Sequence, residues 1–299
     1  MEIVDSQIHL GPGGIDEMVK ALDALGIAAV LVDEYWIGTP GYPFHMVGAN
    51  REVMRTVSPT VELACWQYPG RFAYLVRPEP ADPELKAVVR LAADNPNVRA
   101  LRVSPGMTRA EMTKFGNGDY DPIFELAVEH GLPVFAQVAG HAHLLERVVK
   151  KYPEVRIVIC HCGMPPGASL YPIFAQMEGL ADSMDYWGKL AATPHGESFE
   201  IVLRTAEMPQ IALKWGHAPV MFDAAGYPNL GARPFLRKAL DAFGAERVMW
   251  ASDISANQTG ESWAELIFSI RENPQMSEEE KAWVLGKTAR KWLDWPVAG

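Results

Sequence analysis

Three polar side chains recur at alternate positions near the start of the chain, in the segment VDSQIHL. Asp5, Gln7 and His9 belong to an apolar run, and the alternation predicts a strand on which the three share one face. Two imidazoles spaced in this way can reach a single metal ion, so a histidine at position 7 would predict a metal site. Glutamine stands there instead, and the metal content of the site is therefore open.

Eight short apolar or β-branched runs alternate with stretches of helical spacing along the chain. The runs cover residues 2–10, 28–36, 71–78, 98–104, 132–138, 155–162, 210–216 and 247–253. This order predicts an α/β protein, a (β/α)8 TIM barrel formed as a single domain by residues 1–299, with a doubly wound sheet as the structural competitor. The helix signals include Gly26 as a stop, and Asp121 as a cap with Pro122 in the first turn.

Polar groups stand at the ends of nearly all of these runs. They are Gln7, His9, Arg77, Arg102, Gln137, His161, Lys214 and Asp253. Ligands bind beyond the carboxyl ends of the strands in either architecture, and unpaired buried charges are costly. The set therefore predicts a polar binding site at one end of the barrel.

Each of these residues also has a purely structural interpretation. His161 and Asp253 could cap the turns that follow their strands, and Arg102 and Lys214 could form ion pairs with Asp5 or Asp253. The remaining histidines carry less signal. His141 and His143 stand at a helix start, where capping or surface positions are common, and His45, His195 and His217 fall in loops.

Two connections are unusually long, residues 37–70 and residues 163–209, and both are rich in aromatic residues. Long loops at the catalytic end of a barrel commonly form a lid or a specificity wall. We expect both connections to lie over the catalytic face.

Composition narrows the class of partner. With 48% hydrophobic residues the chain can form a large core, and its net charge of −10 argues against nucleic acid or an anionic membrane as a partner. Three cysteines do not make a disulfide framework, and neither a signal peptide nor a membrane span is recognisable. We expect a cytoplasmic protein that acts on a small molecule and could form a homo-oligomer.

Three motifs, in order along the chain, resemble the amidohydrolase superfamily in its amidohydrolase-related branch of lactonases and non-oxidative decarboxylases. They are VDSQIHL, VRIVICHCGMP and FGAERVMWASD. The resemblance implies a distorted barrel with a polar centre contributed by the first, fifth, sixth and eighth strands. In the metal-dependent members, two first-strand histidines, a fifth-strand histidine and the eighth-strand aspartate bind a divalent ion.

Carried over to this sequence, those ligand positions are Gln7, His9, Gln137 and Asp253, and His161 matches the sixth-strand histidine. Two of the positions are glutamine, and a neutral amide oxygen is a weak zinc ligand beside imidazole. The resemblance therefore implies a site without a metal cofactor, with a weakly bound zinc or manganese ion as the alternative.

The expected function is metal-independent hydrolysis of a small carboxylated lactone or related cyclic ester, of the kind met in aromatic catabolism. Asp253 would activate water, and His9, His161 and Gln7 would stabilise the oxyanion. Two alternatives stay open, namely a metal-dependent decarboxylase or hydratase of an aromatic or unsaturated acid, and a small-ligand-binding barrel without catalysis. The expected substrate-binding residues are Arg77, Arg102, Lys214 and Gln137, whose charges and amide suit an organic acid.

Overall fold

The computed structural model describes residues 1–10, 13–33, 44–48, 53–56, 59–165, 183–224, 226–254 and 262–296. Its strands, in chain order, are β1 (Val4–Ile8), β2 (Ala29–Val32), β3 (Phe44–Val47), β4 (Val53–Thr56), β5 (Phe72–Val76), β6 (Val98–Val103), β7 (Val134–Ala136), β8 (Ile157–Ile159), β9 (Ile211–Gly216) and β10 (Val248–Ala251). Its α-helices are α1 (Gly14–Leu25), α2 (Pro59–Gln67), α3 (Leu85–Asp94), α4 (Arg109–Asn117), α5 (Asp121–Glu129), α6 (Leu145–Lys151), α7 (Ser183–Ala191), α8 (His195–Arg204), α9 (Ala218–Met221), α10 (Arg233–Phe243), α11 (Trp263–Arg271), α12 (Glu278–Ala282) and α13 (Thr288–Trp292).

Eight parallel strands of the described chain form one sheet in the order β1, β2, β5, β6, β7, β8, β9, β10. The last strand then returns to the first. The Asp253 amide donates to the Gln7 carbonyl at 2.9 Å, and the His9 amide donates to the Ile254 carbonyl at 2.9 Å. The sheet is a (β/α)8 barrel surrounded by helices, and the eight predicted strands are confirmed.

Apolar side chains fill two layers. Small and branched residues of alternate strand positions, such as Val4, Leu31 and Ala100, pack in the barrel interior. Their neighbours along the strands pack outward against the helices, which turn apolar faces inward because their apolar residues recur at helical spacing. The barrel wall is thereby buried on both sides, as parallel sheets require.

The two helix-end signals have different outcomes. Gly26 ends α1 in the left-handed conformation, at φ 67°, which glycine adopts without a side-chain clash. Asp121 does not cap α5, because Tyr120 occupies the cap position. The Asp121 carboxylate instead accepts hydrogen bonds from Arg147 at 2.8 and 3.0 Å and from Lys151 at 2.7 Å.

The prediction that Asp5 shares a face with Gln7 and His9 is wrong. The pairing of β1 with β2 is irregular between Asp5 and Ile8, and this breaks the strict alternation of the strand. The Asp5 carboxylate accepts hydrogen bonds from the Trp263 indole at 2.8 Å and the Ser252 amide at 3.0 Å. Asp5 therefore fastens α11 and the end of β10 to β1.

The two long connections contain secondary structure. The hairpin of β3 and β4 and helix α2 lie in the first, and α7 and α8 lie in the second. The Trp187 indole donates to the Gly106 carbonyl at 3.2 Å, which holds α7 beside the carboxyl end of β6. Residues 34–43, 49–52, 57–58 and 166–182 of these connections lie outside the described chain, and their role over the catalytic face stays a prediction. Within the described ranges, no helix is both long enough and apolar enough to cross a membrane.

Candidate active site

Four described side chains converge on the carboxylate of Asp253, just after β10. The Nε2 atoms of His161 and His217 lie 2.8 and 3.0 Å from Oδ2, and that of His9 lies 3.2 Å from Oδ1. The Gln7 side-chain amide donates to the same Oδ1. A carboxylate offers about four acceptor positions. These neighbours therefore surround the Asp253 carboxylate, which is 1% exposed.

Unusual backbone conformations bring these side chains inward. His161, His217 and Asp253 each have a positive φ, of 49°, 52° and 55°. Left-handed backbone is uncommon for residues other than glycine, although histidine, asparagine and aspartate tolerate it best, and it is enriched at functional sites. The strand ends turn sharply at these positions, so the three side chains meet.

The protonation states of the centre follow from burial and contacts. Burial raises the pKa of Asp253, but the contacts with His217 and His161 outweigh it and hold that pKa well below 3.8. Burial and the nearby Lys214 ammonium lower the pKa of His161 to about 3. Asp253 is therefore ionised at neutral pH, whereas His161 is neutral and donates its Nε2 proton to Asp253. The His161 Nδ1 atom keeps its lone pair, and within the described chain it is buried without a hydrogen-bond partner.

Lys214 contacts the side-chain oxygen of Gln7, whereas Asp253 contacts its side-chain nitrogen. The Lys214 ammonium is fully buried and donates to the Gln7 side-chain oxygen, and it stands 5.8 Å from the centre of the Phe135 ring. Burial lowers the pKa of Lys214 from its ordinary value, whereas the nearby Asp253 and Asp33 carboxylates act against that lowering and favour the charged form. The Gln7 amide therefore bridges a buried cation and the Asp253 carboxylate.

A second polar group surrounds Asp33, at the end of β2. The Arg77 Nε atom donates to Asp33 Oδ1 at 2.8 Å, and Arg77 and Arg102 both donate to Oδ2. Arg102 also donates to the Gln137 side-chain oxygen at 3.2 Å. Burial raises the pKa of Asp33, but the two guanidinium groups outweigh it and lower that pKa. Two positive charges against one negative charge leave this group with a net charge of +1, which suits an anionic ligand.

The sequence-predicted residues thus lie in two adjoining groups. Gln7, His9, His161 and Lys214 gather at Asp253. Arg77, Arg102 and Gln137 gather at Asp33, so the amide at position 137 faces an arginine. Arg102 pairs with neither Asp5 nor Asp253.

Asp33 and His217 are the two residues that the sequence analysis did not select. Each directly follows an apolar strand, Asp33 after AVLV and His217 after IALKWG. Taking the first polar residue beyond every strand would have found both. The other histidines are elsewhere. His141 stacks on Tyr186 at 5.9 Å, His195 lies 3.5 Å from Asp223, and the side chain of His45 lies outside the described residues.

The stability of the protein should depend on pH through the buried Asp5 carboxylate. Burial raises its pKa from 3.8 to about 6, against the hydrogen bonds from Ser252, Gln7 and Trp263. Because the folded pKa is the higher one, the stabilisation is fully present below pH 3.8 and is lost as the pH rises through 6. Through this group, we expect the free energy of unfolding to fall by about 3 kcal/mol as the pH rises across that window.

Denaturation of the wild type and of Asp5→Asn at several pH values isolates this contribution, because asparagine does not titrate. The stability difference between the two proteins should shift in favour of the variant as the pH rises. A difference that is constant with pH would contradict the assignment.

Comparisons with known proteins agree with this fold. The eight-stranded barrel with a polar centre at the carboxyl ends of its strands defines the class of (β/α)8 barrel proteins. The family model described as amidohydrolase matches residues 43–295, so the chain belongs to the amidohydrolase family, a family of enzymes. No curated protein matches the chain at a significant level.

Solved structures share the fold over nearly the whole chain. An amidohydrolase from Burkholderia multivorans with bound zinc has a TM-score of 0.70 at 15% identity, covering 99% of this chain and 100% of that one. A candidate 2-pyrone-4,6-dicarboxylic acid hydrolase from Pseudomonas putida has a TM-score of 0.66 at 19% identity, covering 99% of each chain. The 5-carboxyvanillate decarboxylase from Sphingomonas paucimobilis has a TM-score of 0.60 at 16% identity, also covering 99% of each chain.

The donor set at Asp253 does not fit the divalent metal that the family implies. A metal ion needs lone pairs directed at one point, but Gln7 presents an N–H to Asp253, and Gln137 is held at Arg102. The three imidazole Nε2 atoms lie 2.8 to 3.2 Å from the carboxylate oxygens of Asp253. Among the residues that the structure describes, no group of three or more His, Cys, Asp and Glu side chains is arranged to hold a metal ion.

Proposed function

We propose that the protein hydrolyses a small carboxylated lactone or related cyclic ester without a metal ion. The observation that carries this proposal is the neutral His161 imidazole, held through Nε2 by an ionised Asp253, with the buried acceptor Nδ1 left over. A carboxylate that orients an imidazole in this way is the arrangement that activates a nucleophile in hydrolases.

In this mechanism the His161 Nδ1 atom removes a proton from water as the water oxygen attacks the lactone carbonyl carbon. Asp253 stabilises the imidazolium that forms. The proton is then returned to the ring oxygen as the carbon–oxygen bond breaks, which gives a carboxylic acid and an alcohol or enol. This assignment replaces direct deprotonation by Asp253, whose two oxygens are already engaged by Gln7, His161 and His217.

Stabilisation of the oxyanion is assigned to Gln7, because the Nε2 atoms of His9, His161 and His217 lie against Asp253. The Gln7 nitrogen carries two hydrogens, and the contact with Asp253 uses one of them. His161 is left out of this role, because its single proton is donated to Asp253. Each well-aimed donor contributes roughly 3 kcal/mol to the rate, which suits an ester with a good leaving group better than an amide.

The net positive charge at Asp33 supports a substrate with a carboxylate. Arg77 and Arg102 present planar guanidinium groups, which recognise carboxylates through paired hydrogen bonds. Helix α7 supplies Tyr186 and Trp187 near the same end of the barrel, and aromatic side chains there would pack a ring. Cytoplasmic location and a homo-oligomeric state remain predictions.

The experiment that tests this function is an assay of the purified protein on a panel of carboxylated lactones and their uncarboxylated counterparts, before and after chelator treatment. We expect acid release from the carboxylated lactones alone, at an unchanged rate after chelation. Loss of hydrolysis on chelation, or no hydrolysis of any lactone, would overturn the proposal.

Decarboxylation is the second candidate, because the solved structures of the same fold include a decarboxylase. Carboxylated phenols added to the same panel separate the two reactions, since a decarboxylase releases carbon dioxide and a lactonase releases only a proton. Ligand binding without turnover on either set would indicate a binding barrel.

Arg102→Ala should raise KM for carboxylated lactones about 10- to 100-fold and change kcat little, because the guanidinium binds a part of the substrate that does not react. Arg99→Ala is the matched control. Arg99 lies on the same strand and donates to the Asp294 carbonyl at 3.2 Å, away from the site. An equal KM for wild type and Arg102→Ala would show that Arg102 does not bind the substrate.

A further inference from the structure

The cluster around Asp253 contains a buried cation that belongs to the chain itself. Lys214 extends from β9 and is 0% exposed, and its ammonium reaches the side-chain oxygen of Gln7. On its other side, the Gln7 amide donates to Asp253. The Lys214 ammonium, the Gln7 amide and the Asp253 carboxylate therefore form one continuous row of contacts across the barrel, from β9 through β1 to the end of β10.

The two neighbours of Gln7 fix which way its amide faces. An ammonium has only protons to offer, so it requires the amide oxygen, and an ionised carboxylate has only acceptors, so it requires the amide nitrogen. Rotation of the amide by half a turn would bring N–H groups against the ammonium and the amide oxygen against the carboxylate. Both contacts would then be repulsive inside a buried site, where such contacts are strong.

We propose that Lys214 serves as the built-in cation of this site and, by locking Gln7, excludes a divalent metal from Asp253 and the imidazoles of His9, His161 and His217. The first-strand amide would have to turn its oxygen toward a metal ion, and Lys214 prevents that rotation. A divalent ion would also lie close to a fixed positive charge. This proposal rests on the metal-free site of the proposed function. Its own prediction concerns the affinity for metal, which is measured without any substrate.

A comparison of four proteins by zinc titration calorimetry tests the proposal directly. They are the wild type, Lys214→Met, Gln7→His, and the double variant Gln7→His with Lys214→Met, all treated with a chelator and then freed of it. Methionine retains much of the length of lysine without its charge, and histidine at position 7 supplies a lone pair.

The expected result is that the wild type takes up no stoichiometric zinc. The double variant should bind one zinc ion per chain, with an affinity roughly 100-fold higher than that of the wild type. Gln7→His alone should bind poorly, because Lys214 still lies beside position 7. The visible spectrum of bound cobalt gives a second readout, since coordination by the site ligands would appear in the double variant and be missing in the wild type.

Lys281→Met is the matched control, since Lys281 is also buried, at 8% exposure, but pairs with Glu278 at 2.7 Å on α12. Its zinc affinity should equal that of the wild type. Circular dichroism of every variant confirms that the barrel is folded.

One zinc ion bound tightly by the wild type would overturn the proposal outright, whether or not any variant folds. A folded double variant that binds zinc no better than the wild type would also overturn it. Because no substrate enters the titration, its outcome is separate from that of the lactone assay. A metal-free protein that hydrolyses no lactone would refute the proposed function and leave the role of Lys214 intact.

Discussion

Asp253→Asn should reduce the rate of lactone hydrolysis by about 1,000-fold or more. The asparagine side chain has one oxygen and one amide nitrogen, so it can no longer accept hydrogen bonds from Gln7, His161 and His217 together. The imidazole of His161 would lose the partner that fixes its tautomer and that stabilises the imidazolium, and loss of such a partner is severe in hydrolases of this kind.

The measurement is kcat on the best carboxylated lactone of the panel, with folding checked by circular dichroism. Asp223→Asn is the matched control, because Asp223 is also an aspartate with a positive φ, 48°, beside a histidine, but it is half-exposed and outside the site. Asparagine tolerates left-handed backbone, so neither change strains the chain. Activity of Asp253→Asn within tenfold of the wild type would rule out the assigned role.

Asp33→Asn should lower the free energy of unfolding by about 3 to 5 kcal/mol. Asp33 is 1% exposed and is the anion between Arg77 and Arg102, so its neutralisation leaves two guanidinium groups facing each other without a counter-charge. Breaking a buried ion pair by removing one partner is strongly destabilising for this reason.

Urea denaturation of the wild type and Asp33→Asn measures this effect. Asp23→Asn supplies the control, since Asp23 pairs with Arg71 at 2.9 Å but is 63% exposed, and surface pairs contribute less than about 1 kcal/mol. Equal losses for the two variants would mean that the Asp33 pair is no more important than a surface contact.

The sequence predicted the barrel well because its strands are buried on both faces and therefore appear as short continuous apolar runs. The positions of the site residues were predictable for the same reason, since the carboxyl ends of parallel strands meet. Asp33 was missed because it lies inside the predicted run 28–36 and not at its end, and His217 was missed because it follows the run 210–216, in a segment predicted as a loop.

The sequence could not predict the irregular register of β1 or the partners of the Asp121 carboxylate. Alternation predicts a shared face for Asp5 and Gln7, but an irregular register within β1 separates them, and no residue type marks that irregularity. The cap expected of Asp121 failed because Arg147 and Lys151, 26 and 30 residues further along, compete for its carboxylate. Such competition depends on tertiary packing, which local patterns do not encode.

The backbone hydrogen bond from Asp253 to Gln7 ties the two ends of the sheet together at the very residues that form the polar centre. Closure of the barrel therefore also assembles the polar centre. A half-barrel of β1 to β6 carries the arginines and Gln7, and the complementary half carries His161, Lys214 and Asp253. Neither half contains the whole polar centre, so the proposed hydrolysis requires the first and last strands to meet.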